Sequence, residues 1–161
     1  MSITIREATK EDVPAMLLLI KELAAYEREP EAVINSEAMM LEDGFGTNSI
    51  YKAFVATINH TVVGIALYYT AYSTWKGKIL YLDDIVVTQS QRRSGIGKQL
   101  IHNVLKKAHQ QGVNQIRWQV LEWNTPAIEF YKKIGVEFDA QWINCRMSKE
   151  TIANYIGNSN Y

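Results

Sequence analysis

Residues 81–98 read YLDDIVVTQSQRRSGIGK, and this stretch is the most informative part of the chain. Its first half is rich in β-branched and apolar residues, which predicts a strand over 78–87, yet it holds two adjacent carboxylates, Asp83 and Asp84. Acidic residues are depleted in strand interiors, so the pair needs a reason other than strand formation. Because successive side chains of a strand point to opposite faces, the two acids can share a face only if a β-bulge intervenes.

The second half of the stretch predicts a glycine-containing turn that opens a helix. Gly95 and Gly97 let the backbone approach a ligand closely, and a helix start offers free N–H groups at its positive dipole end. Such a corner suits a pyrophosphate. The pattern is neither a P-loop, which ends in Gly-Lys-Ser/Thr, nor the three-glycine dinucleotide fingerprint. A simple turn between a strand and a helix remains the alternative interpretation.

Apolar spacing predicts a mixed order of helices and strands along the rest of the chain. The predicted strands are 3–7, 51–58, 61–69, 78–87 and 113–121, with one or two more in 136–147. The predicted helices are 13–26, one that Asn35 or Ser36 caps and that ends at Gly44, one from Gly95 to about 108, and 125–134. Thr9 and Asp12 form a capping-box pattern, and Asn59-His60 predicts a hairpin turn. This order indicates a single α+β domain over 1–161, with a mixed, mostly antiparallel sheet flanked by helices.

Composition limits the classes of partner. The 161 residues carry a formal net charge of zero, which favours neither nucleic acid nor an anionic membrane surface. The apolar runs are too short for a membrane span, and the N-terminal sequence lacks the layout of a secretory signal. Cys145 is the single cysteine and cannot form an internal disulfide, so we expect a reducing, cytoplasmic setting. The three histidines and Cys145 lack metal-ligand spacing, so we expect no metal.

Five segments together resemble one family. These are 21–27 (KELAAYE), 41–46 (LEDGFG), 68–82 (YYTAYSTWKGKILYL), 122–132 (EWNTPAIEFYK) and the pattern Arg92-x-x-Gly95-x-Gly97. In order and spacing they resemble the spermidine/spermine acetyltransferases of the GNAT superfamily, over roughly residues 5–135. The resemblance implies the GNAT acyltransferase fold, acetyl-CoA as co-substrate, a small-molecule amine as substrate and a homodimer. It fades after Gly135, where an acidic residue of the family's polyamine channel has no clear counterpart in 139–141.

The resemblance also implies roles for individual residues. It places acetyl-CoA backbone contacts at Ile85, Val86 and Val87, pyrophosphate contacts at Arg92, Arg93, Ser94, Gly95, Ile96, Gly97 and Lys98, and a further cofactor-contacting turn at Asn124, Thr125, Pro126 and Ala127. It places substrate contacts at Tyr26, Glu27, Asp83 and Asp84, and Asp83 occupies the position of the acid that binds the ammonium and relays its proton. Tyr131 matches the tyrosine that protonates the departing sulfur, since a phenol of pKa near ~10 stays protonated while a thiolate of pKa ~8.5 forms.

Each of these assignments has a structural alternative. Asp84 is equally well explained as an acid that accepts hydrogen bonds from backbone N–H groups. Glu27 belongs to an acidic cluster with Glu29 and Glu31 that a solvated loop would also produce. Asn124 with the following Thr-Pro is also a normal helix cap, and Tyr131 beside an aromatic neighbour is also normal in a helix core.

The function expected from these observations is acetyl transfer from acetyl-CoA to a primary amine of a polyamine or diamine. A thioester is already activated, so direct attack in a ternary complex needs no serine or cysteine nucleophile. Thialysine, another amino acid or a protein amine is the alternative substrate, and a non-catalytic acyl-CoA sensor is the alternative of another class. An aromatic-rich edge, formed by Tyr68, Tyr69, Tyr72 and Trp75, is expected either to bury against a second subunit or to pack in the core.

Overall fold

A computed structural model gives the structure of residues 2–158. The chain divides into two compact units, Met1–Gln119 and Val120–Tyr161. Within residues 2–158, the helices are too short or too polar to cross a membrane. The first unit holds the whole sheet, and each unit is described by itself below.

The first unit is built on one five-stranded sheet. Its strands are β1 (Ile3–Glu7), β2 (Lys52–Ile58), β3 (Thr61–Ser73), β4 (Gly77–Val87) and β5 (Ile116–Arg117). They lie side by side in chain order; the first four are antiparallel to their neighbours and β5 is parallel to β4. Asn59 and His60 join β2 to β3 with φ angles of 49° and 65°, as the predicted two-residue hairpin turn requires. The expected mixed, mostly antiparallel sheet is confirmed.

The helices of the first unit are α1 (Val13–Tyr26), α2 (Glu37–Phe45) and α3 (Ile96–Gln110). Local capping residues precede α1 and α2. Before α1, the Thr9 N–H donates to Asp12 Oδ2 at 2.8 Å, and Arg6 donates to both oxygens of the same buried carboxylate at 2.6 and 2.8 Å. Ser36 caps α2 by accepting a hydrogen bond from the Met39 N–H at 3.2 Å. The predicted capping positions of both helices are confirmed.

The helices cover both faces of the sheet. On one face, α1 and α2 form a core with β2, β3 and β4, in which Met16 and Ile65 are fully buried. On the other face, α3 lies so close to β3 that a Cβ added to Gly64 would meet Leu100 at 3.2 Å and Ile96 at 3.3 Å. The glycine therefore permits the close contact between α3 and the sheet.

The second unit contains α4 (Thr125–Lys133) and α5 (Lys149–Asn158). The prediction of one or two strands in 136–147 is wrong, because the structure assigns no strand to this described segment. The predicted strand 113–121 is reduced to the two residues of β5. Alternating apolar residues favour extended backbone, but a strand also needs a hydrogen-bonded neighbour, and only Ile116 and Arg117 have one, in β4.

Helix α5 was not predicted from the sequence. Its start carries a local signal, since the Ser148 hydroxyl accepts a hydrogen bond from the Thr151 N–H at 3.1 Å. A serine three residues before a backbone donor is the arrangement of a helix N-cap.

Candidate active site

A β-bulge in β4 determines where the two adjacent acids point. Leu82 pairs with Tyr68 and Asp84 pairs with Leu67, so Asp83 is an extra residue with no partner in β3. Because side chains alternate along a strand, the extra residue turns Asp84 to the face of Leu67, opposite to Leu82. Asp83 directly follows Leu82 and therefore also points away from the face of Leu82, to the face of Leu67 and Asp84. The bulge thus gives both acids one face, which a regular strand would forbid.

A third carboxylate, that of Glu27 directly after α1, lies near the two acids. The three residues form an acidic cluster. Burial raises the pKa of Asp84 to about 6, with further contributions from the negative charges of Asp83 and Glu27. Burial also raises the pKa of Asp83 and that of Glu27. Hydrogen bonds from backbone N–H groups would lower the pKa of Asp84. The causes of its raised pKa are instead desolvation and the neighbouring carboxylates.

Two stacked tyrosines lie beside the acidic cluster. Tyr69 and Tyr81 are cross-strand partners in β3 and β4, and their ring centroids are 5.3 Å apart. Burial raises the pKa of each phenol, and the charge of Asp83 raises both further. The rings and carboxylates together offer the two kinds of group that attract an alkylammonium, namely π-faces and negative charge.

The edge of β4 beyond the bulge has no neighbouring strand in the described part of the first unit. β5 pairs with β4 only at Leu80 and Tyr81, and the Leu80 N–H points to it, donating to Gln115 O at 3.1 Å. Backbone groups alternate between the two edges of a strand, and the bulge shifts this alternation so that Ile85 and Val87 point to the β5 edge. Their backbone groups therefore line an open edge next to the acidic cluster.

The predicted corner follows β4 and begins α3. Gly95 has a φ of 84°, which favours glycine, and it occupies the N-cap position. The first intrahelical hydrogen bond runs from Gln99 N–H to the Gly95 carbonyl at 3.1 Å. The N–H groups of Ile96, Gly97 and Lys98 precede that bond, and no side chain in the described residues caps this helix. The start of α3 therefore has the donors and the dipole end that an anion requires.

Arg92 connects the corner to α1. Its Nε donates to the Val87 carbonyl at 3.0 Å, and its guanidinium lies 4.8 Å from the centroid of the Tyr26 ring. Its Nη2 is 3.9 Å from the Glu22 carboxylate. In this structure the guanidinium thus holds the end of β4 against the last turns of α1.

Glu22 is the site residue that the sequence analysis missed. Its carboxylate accepts hydrogen bonds from the Thr88 hydroxyl at 2.8 Å and from the Gln89 N–H at 2.7 Å, where the chain leaves β4 for the corner. A charged acceptor makes such bonds stronger than neutral ones. The available signal was its position four residues before Tyr26, which places both side chains on one face of α1.

The predicted residues of the second unit lie at both ends of α4. The Asn124 side chain accepts a hydrogen bond from the Ala127 N–H at 3.4 Å, and Pro126 lies in the first turn, so the helix cap is present. Tyr131 is buried, with its ring centroid 5.4 Å from that of Phe130. The roles expected of Asn124, Thr125, Pro126, Ala127 and Tyr131 in cofactor binding and catalysis stay predictions.

The aromatic-rich edge divides into buried and exposed rings. Tyr68 is 2% exposed, whereas Tyr72 and Trp75 at the β3–β4 turn are 80% and 78% exposed.

Within residues 2–158, no group of three or more His, Cys, Asp or Glu side chains is placed to hold a metal ion. The first unit thus combines an acidic cluster and two stacked tyrosines with a helix start that suits an anion.

Comparisons with known proteins agree with this chemistry. A sequence profile described as the acetyltransferase (GNAT) family matches residues 16–136. The thialysine N-epsilon-acetyltransferase of Bos taurus is 41% identical over 143 residues, which cover 84% of this chain and 84% of that protein. The spermidine/spermine N(1)-acetyltransferase-like protein 1 of Homo sapiens is 34% identical over 92% of this chain and 23% of its own length. An integron cassette protein from the mobile metagenome of V. cholerae has the same fold, with a TM-score of 0.79, 25% identity and 99% of both chains covered.

Asp84→Asn should stabilise the protein at neutral pH. Because the pKa of Asp84 in the folded state is about 6, against an ordinary 3.8, folding opposes its ionisation at neutral pH by roughly 3 kcal/mol. The gain in the free energy of unfolding should grow as the pH rises from about 4 to about 6 and then level off. Urea unfolding at several pH values measures it. A gain independent of pH would contradict the raised pKa.

Glu22→Ala should loosen the segment between β4 and α3. Loss of a charged acceptor should accelerate amide hydrogen exchange at Gln89 by about tenfold, as measured by NMR. Glu29→Ala removes an exposed carboxylate just beyond α1 and serves as the matched control, with unchanged exchange at Gln89. Unchanged exchange in Glu22→Ala would show that this carboxylate does not hold the segment.

Proposed function

This chain belongs to the GNAT acetyltransferase family, and we propose that it transfers the acetyl group of acetyl-CoA to a primary amine of a polyamine or diamine. The name of the Bos taurus relative specifies N-acetylation of an amine, and the name of the Homo sapiens relative likens it to an enzyme that acetylates spermidine and spermine. The choice of amine is the finer part of the proposal. The acidic cluster of Glu27, Asp83 and Asp84 is the single observation that carries it, because a substrate with two or more ammonium groups matches several carboxylates.

The first demand of the reaction is removal of a proton from the amine. An alkylammonium has a pKa near ~10.4, so at neutral pH the nucleophilic free base is scarce by roughly three log units, or about 4 kcal/mol. We assign the proton relay to Asp83, the more exposed of the two acids and the one whose charge raises the pKa of both stacked tyrosines. Asp84 has a pKa of about 6, which is closer to neutral than the ordinary value of 3.8. It therefore suits the binding of a second ammonium or the final acceptance of the proton.

The second demand is to hold the thioester in line with the amine. The N–H groups at the start of α3 suit the pyrophosphate of acetyl-CoA, with Arg93 and Lys98 supplying positive charge at its exposed edge. The edge of β4 beyond the bulge offers the backbone groups of Ile85 and the N–H of Val87 to the rest of the cofactor, while the Val87 carbonyl accepts the hydrogen bond of Arg92. Among these, the Ile85 N–H lies nearest in sequence to the acids and is the proposed donor to the thioester carbonyl.

The third demand is a proton for the leaving thiolate. In the proposed reaction one ammonium proton first passes through Asp83 to solvent. The free amine nitrogen then forms a bond to the acetyl carbon, the carbon–sulfur bond breaks, and the second nitrogen proton passes to the Asp83 and Asp84 pair. Tyr131 is proposed to give its phenolic proton to the departing sulfur of CoA and to recover a proton from solvent. Direct transfer in a ternary complex needs no acyl-enzyme.

The finer attributes of the protein are proposals as well. We propose one acetyltransferase domain over 1–161, consistent with a family match that runs from 16 to 136 across both units. A homodimer is proposed on the resemblance and on the exposed Tyr72 and Trp75. A cytoplasmic location is proposed because Cys145 is the single cysteine and is an exposed thiol.

A second candidate substrate is a lysine-like amino acid such as thialysine. The observation that favours it is the 41% identity to the Bos taurus enzyme, whose name specifies thialysine. Such a substrate has a side-chain ammonium and an α-ammonium, as a diamine has two ammonium groups, but it also has a carboxylate, which the acidic cluster would repel. A polyamine or diamine lacks that carboxylate.

An amine panel tests the proposed function. The purified protein is incubated with acetyl-CoA and spermidine, spermine, a diamine, thialysine or lysine, and the release of the CoA thiol is measured. We expect the highest kcat/KM with a polyamine or diamine. A clear preference for thialysine would show that thialysine, and not a polyamine or diamine, is the substrate. Binding of acetyl-CoA without turnover of any amine would indicate a sensor.

Two conservative variants test the mechanism. Tyr131→Phe should lower kcat by about 10²-fold or more, typical of a lost general acid, while acetyl-CoA affinity from calorimetry stays near wild type. Asp83→Asn should abolish activity or shift the pH–rate profile to higher pH, because the amine must then lose its proton to solvent. Tyr72→Phe removes an exposed phenol and is the control. Wild-type turnover in Tyr131→Phe would show that Tyr131 is not the general acid. A wild-type pH–rate profile in Asp83→Asn would show that Asp83 does not relay the proton.

A further inference from the structure

The carbonyl group of Val87 lies at the edge of β4 that the proposed function gives to the cofactor. The next residue points to the other edge, since the Thr88 N–H donates to the Val63 carbonyl in β3 at 2.9 Å. Because backbone groups alternate between the two edges, the Val87 carbonyl points away from β3. In the described residues of the first unit, β5 pairs with β4 only at Leu80 and Tyr81 and does not reach this carbonyl.

Arg92 occupies this strand-edge acceptor. Its Nε donates to the Val87 carbonyl oxygen at 3.0 Å. On the side of α1, the guanidinium lies 4.8 Å from the centroid of the Tyr26 ring. A charged donor makes a stronger hydrogen bond to a carbonyl than a neutral amide does. An amide of a ligand is therefore at a disadvantage when it competes with the guanidinium for this oxygen.

The same side chain belongs to the turn that leads into the corner. Arg92 lies three residues before Gly95, the N-cap residue of α3. The Ser94 hydroxyl donates to the Gln91 carbonyl at 2.5 Å, which closes a compact turn around Arg92. The side chain of Arg92 therefore starts within one short turn of the N–H groups that suit the pyrophosphate.

A diphosphate is a better partner for this guanidinium than the groups it now contacts. Phosphate oxygens are charged and accept two parallel hydrogen bonds from one guanidinium, whereas the Val87 carbonyl is neutral and accepts only from Nε. The Glu22 carboxylate is 3.9 Å from Nη2, which exceeds a hydrogen-bond distance, and it already accepts from Thr88 and Gln89. A diphosphate at the corner should therefore draw the guanidinium away from the carbonyl.

We propose that Arg92 makes the enzyme selective for acyl donors that carry a diphosphate, an inference that rests on the proposed function. The pantetheine arm of CoA contains amide groups, and a chain of amides binds to an open strand edge by donating N–H groups to its carbonyls. With a diphosphate at the corner, the guanidinium leaves the Val87 carbonyl and an amide N–H of the arm takes its place. A thioester without the diphosphate must displace the guanidinium with no compensating contact.

S-acetylpantetheine is the probe that lacks the diphosphate. Its dissociation constant for the full chain is measured by NMR from the amide shifts of Ile85 and Val87, and that of acetyl-CoA by calorimetry. Arg92→Met removes every donor of the side chain. This variant should bind S-acetylpantetheine about tenfold more tightly than wild type does, because no charge-assisted hydrogen bond has to be broken. It should bind acetyl-CoA less tightly, because the phosphate contact is lost.

The wild-type chain supplies a second measurement that needs no variant. Adenosine diphosphate at saturating concentration should draw Arg92 to the corner and tighten the binding of S-acetylpantetheine about tenfold. Arg92→Met should show no such gain. Arg93→Gln is the matched control, since it removes the same charge from the next residue, whose side chain is exposed. It should weaken the binding of both phosphate-bearing ligands but keep the wild-type affinity for S-acetylpantetheine and the gain with adenosine diphosphate.

Other results would overturn the inference. Wild-type affinity of Arg92→Met for S-acetylpantetheine would show that the Val87 carbonyl accepts from both groups at once, through its two lone pairs. Weaker or undetectable binding would show that Arg92 supports the edge instead of covering it. The absence of a gain with adenosine diphosphate in wild type would equally contradict the exchange. These results leave the proposed function intact, whereas a wild-type chain that gives no heat with acetyl-CoA contradicts the proposed function, and the inference falls with it.

Discussion

One extra residue in β4 is the constraint on which the proposed active site depends. The bulge at Asp83 has two geometric consequences at once. It turns Asp84 to the face already occupied by Asp83, and it exchanges the edges to which the backbone groups of β4 point. The acids and the open backbone edge are therefore two results of the same insertion. A regular strand would separate the acids and direct the Ile85 N–H to β3.

Placing these acids together opposes stability. Burial and two neighbouring charges hold the pKa of Asp84 near 6, so its ionised form is unfavourable in the fold. Such a group persists only where the surrounding structure is strong enough to hold it. Here the support is the core of α1, α2 and the sheet, with Met16, Val55 and Ile65 fully buried. In the proposed mechanism this desolvated acid has a use, since a proton acceptor works best with a pKa near the operating pH.

The sequence predicted those features that short-range chemistry determines. The Asn59-His60 turn, the Ser36 cap and the Gly95 corner depend on residues within four positions, and all are present. From the sequence, the bulge was only the condition under which the two acids would share a face. Its presence could not be predicted, because it depends on pairing with β3. The strands expected in 136–147 failed for the same reason, since propensity cannot supply a neighbouring strand. Glu22 was missed because Thr88 and Gln89 lie 66 and 67 residues away.

The last two turns of α1 join both halves of the proposed site. Glu22 holds the chain where β4 ends, Tyr26 stacks against Arg92 of the corner, and Glu27 raises the pKa of Asp84. A displacement of this helix end would therefore alter the corner and the acidic cluster together. Binding of a phosphate-bearing ligand at the corner would in turn act on Arg92, and through Tyr26 on the amine side. Because such coupling is reciprocal, each substrate should change the affinity for the other by the same factor.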